Sequence, residues 1–214
     1  MTSLIGCHAL VFTGDFDSRG IESSARRARQ AGFDLIEFPL MEPETFDSTT
    51  ARRVVDDEGL HASASLGLPL EADISSDDPS VVAAGRRLLE IALDKTADMG
   101  GSRLCGVLYG SMRKHMTPAS ASGRANSVAV LQALADRSSS VGVALSLEVV
   151  NRYESNLINT GRQALCDGGQ TRLAMDGNGA ASHSPHPMWS LERTRTSSMS
   201  WLPSPTSSIC GIDR

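Results

Sequence analysis

The sequence has few aromatic residues, fewer basic than acidic residues, and no long apolar run. Aromatic residues make up 4% of its 214 residues, and 25 acidic against 20 basic residues give a formal net charge of −5. No basic stripe is visible, so we expect no nucleic-acid partner. No apolar run approaches the roughly 20 residues that cross a membrane. The N-terminal MTSLIGCHALVF also lacks the basic region and cleavage site of a signal peptide, so we expect no membrane partner.

Cysteine is scarce as well. The four cysteines, Cys7, Cys105, Cys166 and Cys210, show no C-x-x-C spacing of a metal or redox motif. Cys7 and Cys105 lie in strand-like runs, which predicts reduced core thiols of a cytoplasmic protein. The 40% hydrophobic content suffices for a core, and the length makes one domain the default.

Strand-like apolar runs alternate with amphipathic helical windows along the first three quarters of the chain. This alternation is typical of a parallel α/β fold. The predicted strands are 5–12, 33–40, 61–68, 103–110 and 143–150. The predicted helices are 21–31, 45–58, 80–99 and 120–139, with Asp78 and Pro79 marking a helix start and Gly59 a helix end.

Two parallel architectures fit this alternation: an open doubly wound sheet and a (β/α)8 barrel. No G-x-G-x-x-G or phosphate-binding glycine loop follows the first strand, so sequence support for a nucleotide-binding sheet is missing. In a barrel, chemistry lies at the carboxyl ends of the strands. Polar residues gather at those ends, namely His8, Glu37, Ser65, Glu148 and Glu154. This favours the barrel, and we interpret Glu37 as part of a structural ion pair.

The stretch LSLEVVNRYE, residues 145–154, is the most informative in the chain. Its apolar first half contains a single acid, Glu148, where a buried strand reaches its end. A buried carboxylate costs several kcal/mol unless a metal or hydrogen bonds satisfy it. The polar residues that follow suit a loop that holds a polar ligand. The alternative for Glu148 is an ion pair with a neighbouring Arg or Lys.

The segment EVVNRYE resembles the fifth-strand motif of the D-tagatose and D-psicose 3-epimerases, within the xylose isomerase-like sugar isomerase/epimerase superfamily. The segments GFDLIEFPL, SLGL, DDPSVVAAG and LEVVNRYE match that family in order and spacing, and the similarity runs over about residues 5–165. The resemblance implies a TIM barrel and a ketose 3-epimerase that acts on a small sugar, with a homo-oligomer possible. Hydroxypyruvate isomerases share the barrel and the strand-end glutamate, but NRYE favours the epimerase branch.

The resemblance also implies a metal site and an acid/base pair. In the family, a divalent ion, Mn²⁺ or Co²⁺ and in some cases Mg²⁺, is held by two Glu, one Asp and one His. The two glutamates also move the proton at C3 of a ketose. The first of these ligands corresponds to Glu148, which is therefore the predicted catalytic and metal-binding residue.

Four further residues are predicted to bind substrate by the same resemblance. Glu154 matches a substrate-contacting acid, with a loop salt bridge to Arg152 as the alternative. His8 lies where the family places an aromatic substrate contact, with a core histidine as the alternative. Ser65 and Val107 occupy pocket-wall positions, with simple packing as the alternative.

From about Cys166 the periodicity disappears. Residues 166–214 are rich in Ser, Pro, Thr, Arg and Gly, contain both tryptophans and show no sixth strand–helix unit. One explanation is a disordered tail. The other, which we favour, is a frameshift in a GC-rich gene, since residues 196–205 can be encoded so that a shift of two nucleotides reads FVDVVAAVA.

The number of the family's metal ligands that the sequence retains depends on residues 166–214. Asp176, His183 and His186 lie outside any strand-like run, so we do not interpret them as metal ligands. We therefore expect a barrel domain over 1–165 truncated after about five units, with metal binding and activity impaired. A non-catalytic barrel fragment that binds sugar or a partner is the alternative.

Overall fold

The structure is a computed structural model that describes residues 4–164. Parallel strands alternate with α-helices throughout this region. The strands are β1 Gly6–His8, β2 Leu35–Pro39, β3 His61–Leu68, β4 Arg103–Ser111 and β5 Ala144–Leu147. The helices are α1 Ser18–Gln30, α2 Ser48–Glu58, α3 Pro79–Asp98 and α4 Ala121–Val141, with short 3-10 turns at Ala9–Val11 and Leu70–Ala72. The predictions made for 166–214, including the disordered or frameshifted tail, lie outside the described residues.

The five strands form one sheet in the order β1-β2-β3-β4-β5, and every neighbouring pair is parallel. A doubly wound sheet reverses its strand order part way across, whereas a (β/α)8 barrel adds each new strand beside the last one. The observed order therefore confirms the barrel type and excludes the doubly wound alternative. The described part corresponds to four consecutive βα units and the fifth strand of such a barrel.

Residues of the sheet alternate strictly between two faces. On β2 and β3 the even-numbered residues, such as Ile36, Phe38, Ala64 and Leu66, are 5% exposed or less and pack into the apolar core with the helices. The odd-numbered residues point to the opposite, concave face, because successive side chains of a strand alternate. The concave face is where the polar residues of these strands lie.

Side-chain caps define the helix starts. Asp17, Asp47, Asp78 and Ser120 each accept a hydrogen bond from a backbone N–H of the first turn of α1, α2, α3 and α4 respectively. The predicted start at Asp78-Pro79 is confirmed. The predicted end of α2 at Gly59 is confirmed too, with a left-handed φ of 63°.

Three strands are shorter than predicted: β1, β2 and β5. The chain leaves β1 after His8 because the His8 side chain accepts the N–H of Leu10 and starts a 3-10 turn. Strand β5 ends at Leu147, so Glu148 follows the strand directly.

No helix within the described region is long and apolar enough to cross a membrane. Cys7 and Cys105 form no disulfide within the described residues; Cys105 is buried, Cys7 is half-buried, and burial raises the pKa of Cys7.

Candidate active site

The predicted site residues lie along the carboxyl half of the sheet. His8 ends β1, Ser65 and Val107 lie within β3 and β4, Glu148 follows β5, and Glu154 lies in the next loop. Because all strands are parallel, their carboxyl ends meet at one edge of the sheet. The fold therefore brings all five residues to the end of the barrel where chemistry is expected.

His8 and Ser65 are in direct contact, although they lie 57 residues apart in sequence. The His8 Nε2 atom is 3.0 Å from the Ser65 Oγ. The other ring nitrogen, Nδ1, accepts the backbone N–H of Leu10 at 3.2 Å. Both ring nitrogens thus have partners, and the imidazole is fixed between the turn after β1 and the concave face of β3.

Glu37 on β2 lies beside this pair and is 6% exposed. Its Oε2 accepts hydrogen bonds from the Ser63 hydroxyl at 3.3 Å and the Cys105 thiol at 3.1 Å. Its Oε1 lies 3.8 Å from the His8 Nε2. Burial lowers the pKa of His8, and the charge of Glu37 only partly opposes this effect. The acid thus lies at ion-pair distance from His8 and also accepts from two neutral donors, and the interpretation of Glu37 as part of a structural ion pair stays a prediction.

Val107 is 1% exposed and belongs to the apolar core. It lies opposite Gly67 in the pairing of β3 with β4. A Cβ atom on Gly67 would lie 2.7 Å from the Met112 Sδ, so the glycine leaves room for Met112 to cover this part of β3. The role of Val107 as a pocket wall stays a prediction.

The backbone of Glu148 is fixed on both sides. Its N–H donates to the Gly106 carbonyl at 3.0 Å and continues the ladder of β5 with β4. Its carbonyl accepts the Tyr109 hydroxyl at 2.9 Å, and the same hydroxyl lies 3.2 Å from the Ile158 carbonyl. Burial raises the pKa of Tyr109, which keeps the phenol protonated as a donor. The half-buried Glu148 side chain thus projects from a rigid point at the sheet edge.

The NRYE loop is closed by its own side chains. The Asn151 amide donates to the Glu154 carboxylate, and its oxygen accepts the N–H of Tyr153 at 2.8 Å. The Glu154 carbonyl accepts the N–H of Arg113 at 2.8 Å, which ties this loop to the one after β4. The partner of the Glu154 carboxylate is thus Asn151, whereas the sequence suggested a salt bridge with Arg152.

Sequence reasoning missed a second polar cluster at the same edge. The buried Asp73, after β3, accepts hydrogen bonds from the Ser75 N–H at 2.8 Å, the Ser75 hydroxyl at 2.6 Å and the Ser111 hydroxyl at 2.6 Å. The His115 Nε2 lies 3.2 Å from the Ser111 carbonyl. The Asp-x-Ser spacing of 73–75 is a turn signal that could have indicated the first part of this cluster.

The described residues alone do not provide enough ligands for the divalent metal ion that the family resemblance implies. Within residues 4–164, no group of three or more His, Cys, Asp or Glu side chains is placed to hold a metal ion. Glu148 is the predicted ligand in this range. Any further ligands would have to lie outside it.

The strand order defines a TIM-barrel type of fold, and comparison with known proteins agrees. Residues 25–166 match the xylose isomerase-like TIM barrel family, and the chain belongs to this family. The predicted resemblance to ketose 3-epimerases is confirmed.

The relatives within the family are 3-epimerases. The chain is 56% identical over 161 residues to the ketose 3-epimerase of Arthrobacter globiformis, which covers 75% of this chain and 56% of that protein. It is 44% identical over 160 residues to the L-ribulose 3-epimerase of Methylomonas sp. (strain DH-1), with the same two shares. A crystal structure of D-allulose 3-epimerase from Methylomonas sp. with D-allulose superposes with a TM-score of 0.77 at 42% identity, covering 79% of this chain and 59% of that one. The chain thus spans a little over half the length of the relatives it matches.

Proposed function

We propose that this chain carries the first four βα units and the fifth strand of a metal-dependent ketose 3-epimerase. The observation that carries the proposal is the placement of Glu148, fixed by Gly106 and Tyr109 at the carboxyl end of β5, in a chain 56% identical to a ketose 3-epimerase. Its substrate is a small ketose sugar, and its compartment is the cytoplasm.

The proton at C3 of a ketose is acidic because it lies next to the C2 carbonyl. In our proposal, the Glu148 carboxylate removes this proton as a general base and leaves an enediolate. Return of a proton to the opposite face of C3 inverts the carbon. We place the group that returns it outside residues 4–164.

The family's divalent ion would polarise the sugar oxygens, and we propose Glu148 as one of its ligands. A hard or borderline cation held by one carboxylate stays mostly hydrated and exchanges freely. Together with the lack of a three-ligand group in the described range, this supports a chain that binds metal poorly and turns over little or no substrate.

The substrate contacts are proposed at the same edge. His8 and Ser65 lie together there, Val107 supports the wall from β4, and the Glu154 carboxylate follows β5. The described sheet has β1 and β5 at its two ends, and strand edges promote association. We therefore propose a homo-oligomer.

Residues 4–164 contain no group of three or more side chains placed to hold a metal ion. This also favours a second candidate, a non-catalytic barrel fragment that binds sugar or a partner. Metal analysis separates the two. In the longer chain in the alternative reading frame, an epimerase should retain about one Mn²⁺ or Co²⁺ per chain, as expected for a site with a full ligand set, and a binding protein none.

The proposal is tested by incubating the 214-residue chain with D-fructose, D-tagatose or D-psicose and added Mn²⁺ or Co²⁺. We expect no measurable 3-epimerisation. A longer chain in the alternative reading frame after about residue 165 should be active, and Glu148→Gln should abolish its turnover. Glu90→Gln, the same chemical change on the outer helix α3, is the matched control and should leave turnover unchanged.

Two results would contradict the proposal. If the longer chain in the alternative reading frame were inactive, the assignment as an epimerase would be contradicted. Activity in the 214-residue chain that is lost on Glu148→Gln would show that residues beyond 164 already supply the remaining ligands.

A further inference from the structure

The geometry around His8 determines which of its ring nitrogens carries the proton. The Nδ1 atom faces the backbone N–H of Leu10 at 3.2 Å, and this N–H can only donate. A proton on Nδ1 would place two donors against each other, so Nδ1 is the unprotonated acceptor. The neutral ring therefore carries its proton on Nε2. Burial, which lowers the pKa of His8, is consistent with this neutral form.

The Nε2 proton has two possible acceptors. The Ser65 Oγ lies at 3.0 Å, a good hydrogen-bond distance, whereas the Glu37 Oε1 lies at 3.8 Å, beyond that range. The Nε2–H therefore donates to Ser65. As a consequence, the Ser65 hydroxyl acts as acceptor toward His8 and keeps its own proton for another partner.

Ser63 provides a contrast on the same strand and the same face. Its hydroxyl proton goes to the Glu37 carboxylate at 3.3 Å. For Ser65, no acceptor of the hydroxyl proton is found among residues 4–164. Ser65 is half-buried on the concave face, two residues nearer the carboxyl edge than Ser63. Its hydroxyl proton is therefore available to a partner on the concave face.

We infer that His8 is a positioning residue that holds Ser65 as a hydrogen-bond donor to an oxygen atom of the bound ketose. The ketose rests on the proposed function, whereas the direction of the His8–Ser65 hydrogen bond does not. In this arrangement His8 donates no hydrogen bond to the sugar, because its only N–H is used on Ser65. Contact of the imidazole ring itself with the sugar stays a prediction.

Nuclear magnetic resonance tests the first step without any sugar. Long-range ¹H–¹⁵N correlations of His8 in the ¹⁵N-labelled chain, near pH 7.5, should give the pattern of a neutral ring protonated on Nε2. A ring protonated on Nδ1 would overturn the inference, whatever the chain's function.

Titration of the labelled chain with D-tagatose tests the second step. Loss of one hydrogen bond should weaken binding about tenfold in Ser65→Ala, whereas Ser63→Ala should change it less than about twofold. Wild-type affinity in Ser65→Ala, with the wild-type chain binding, would overturn the inference but leave the proposed function intact. No saturable binding by the wild-type chain would overturn the sugar contact, whereas the proposed function is judged separately, by the activity of the longer chain in the alternative reading frame.

Two substitutions of His8 separate its positioning role from a structural one. His8→Asn keeps an acceptor near Nδ1 for the Leu10 N–H but removes the donor to Ser65. It should weaken D-tagatose binding as much as Ser65→Ala and lower the urea unfolding midpoint no more than Ser65→Ala does. His8→Gln keeps a donor near Nε2. Its affinity for D-tagatose should be within about threefold of wild type, a smaller loss than that of one whole hydrogen bond. Adding Ser65→Ala to His8→Asn should cause no further loss, because both remove the same interaction. Equal binding by His8→Asn and wild type would contradict the positioning role.

Discussion

The two faces of the sheet are chemically opposite. On the helix-covered face, Ile36 and Phe38 are fully buried among apolar side chains. On the concave face, Glu37 is 6%, Ser63 3% and Cys105 2% exposed, and the three are joined by hydrogen bonds. The comparison shows that one face is stabilised by apolar contact and the other by polar groups that satisfy one another.

This difference predicts how each face responds to substitution. Removing apolar atoms leaves a cavity, so its cost grows with the volume lost. Removing one neutral hydrogen-bond donor costs much less, because the net contribution of each bond is small.

The largest effect is expected for Phe38→Ala on the helix-covered face. Phe38 is fully buried, and its ring centroid lies 5.9 Å from that of Phe46. We expect the free energy of unfolding to fall by about 3–5 kcal/mol. Ser63→Ala, on the concave face of the next strand, should cost only about 1 kcal/mol. Urea unfolding measures both, and equal losses would break the contrast between the faces.

Gly106→Ala should have the next largest effect, because backbone strain and a clash add together. Gly106 on β4 has a φ of 120°, and a Cβ atom there would lie 2.3 Å from the Leu66 carbonyl oxygen. We expect a loss of about 2–3 kcal/mol in thermal or urea unfolding. Gly32→Ala is the matched control, since its φ is 87° with nothing within 4 Å of the added Cβ. It should cost about 1 kcal/mol. A smaller loss for Gly106→Ala than for this control would show that β3 and β4 can separate at little cost.

Tyr109→Phe removes a single hydroxyl and should have a moderate effect. The hydroxyl reaches the carbonyls of Glu148 and Ile158, which would then lose this donor. We expect a loss of about 1–2 kcal/mol in the free energy of unfolding. Amide exchange should also accelerate around Glu148 while β3 stays protected. Uniform acceleration across the sheet would show a general loss of stability instead.

The smallest effect is a pH dependence from His8. Burial lowers its pKa in the folded state below the roughly 6.5 of an unfolded histidine, so the unfolded chain binds more protons in this window. The stability contribution is complete above about pH 6.5 and is lost as the pH falls from there toward the folded pKa, with a slope of at most about 1.4 kcal/mol per pH unit. Urea unfolding at several pH values measures it. His8→Asn should flatten this part of the curve, and an unchanged slope would assign the dependence to another group.

The regular part of the fold could be predicted because its signals are local. Strand β3 has the predicted bounds, His61–Leu68, and the Asp78-Pro79 and Gly59 helix signals act within one turn. Strands β1 and β5 were predicted too long, since apolar character continues past both ends. What stops β1 is a side-chain hydrogen bond from the Leu10 N–H to His8, which composition does not reveal.

The site was predictable in its parts but not in its connections. Glu148 could be found because one acid interrupts an apolar run. The contact between His8 and Ser65 depends on the register of β1 with β2 and of β2 with β3, which a single sequence does not determine. The same holds for Glu37, whose partners come from two other strands.

The Asp73 carboxylate has a consequence for motion at the carboxyl edge. It binds Ser75 in its own loop and Ser111 at the end of β4, while Asn126 of α4 donates to the Ser76 carbonyl at 2.9 Å. The loops of two successive βα units thereby share one anchor, and neither can open without breaking the bonds of the other. We expect their amide protons to exchange with deuterium as a single cooperative unit, at one common opening rate. The loops after β3 and β4, at the carboxyl end of the sheet, would then open and close together.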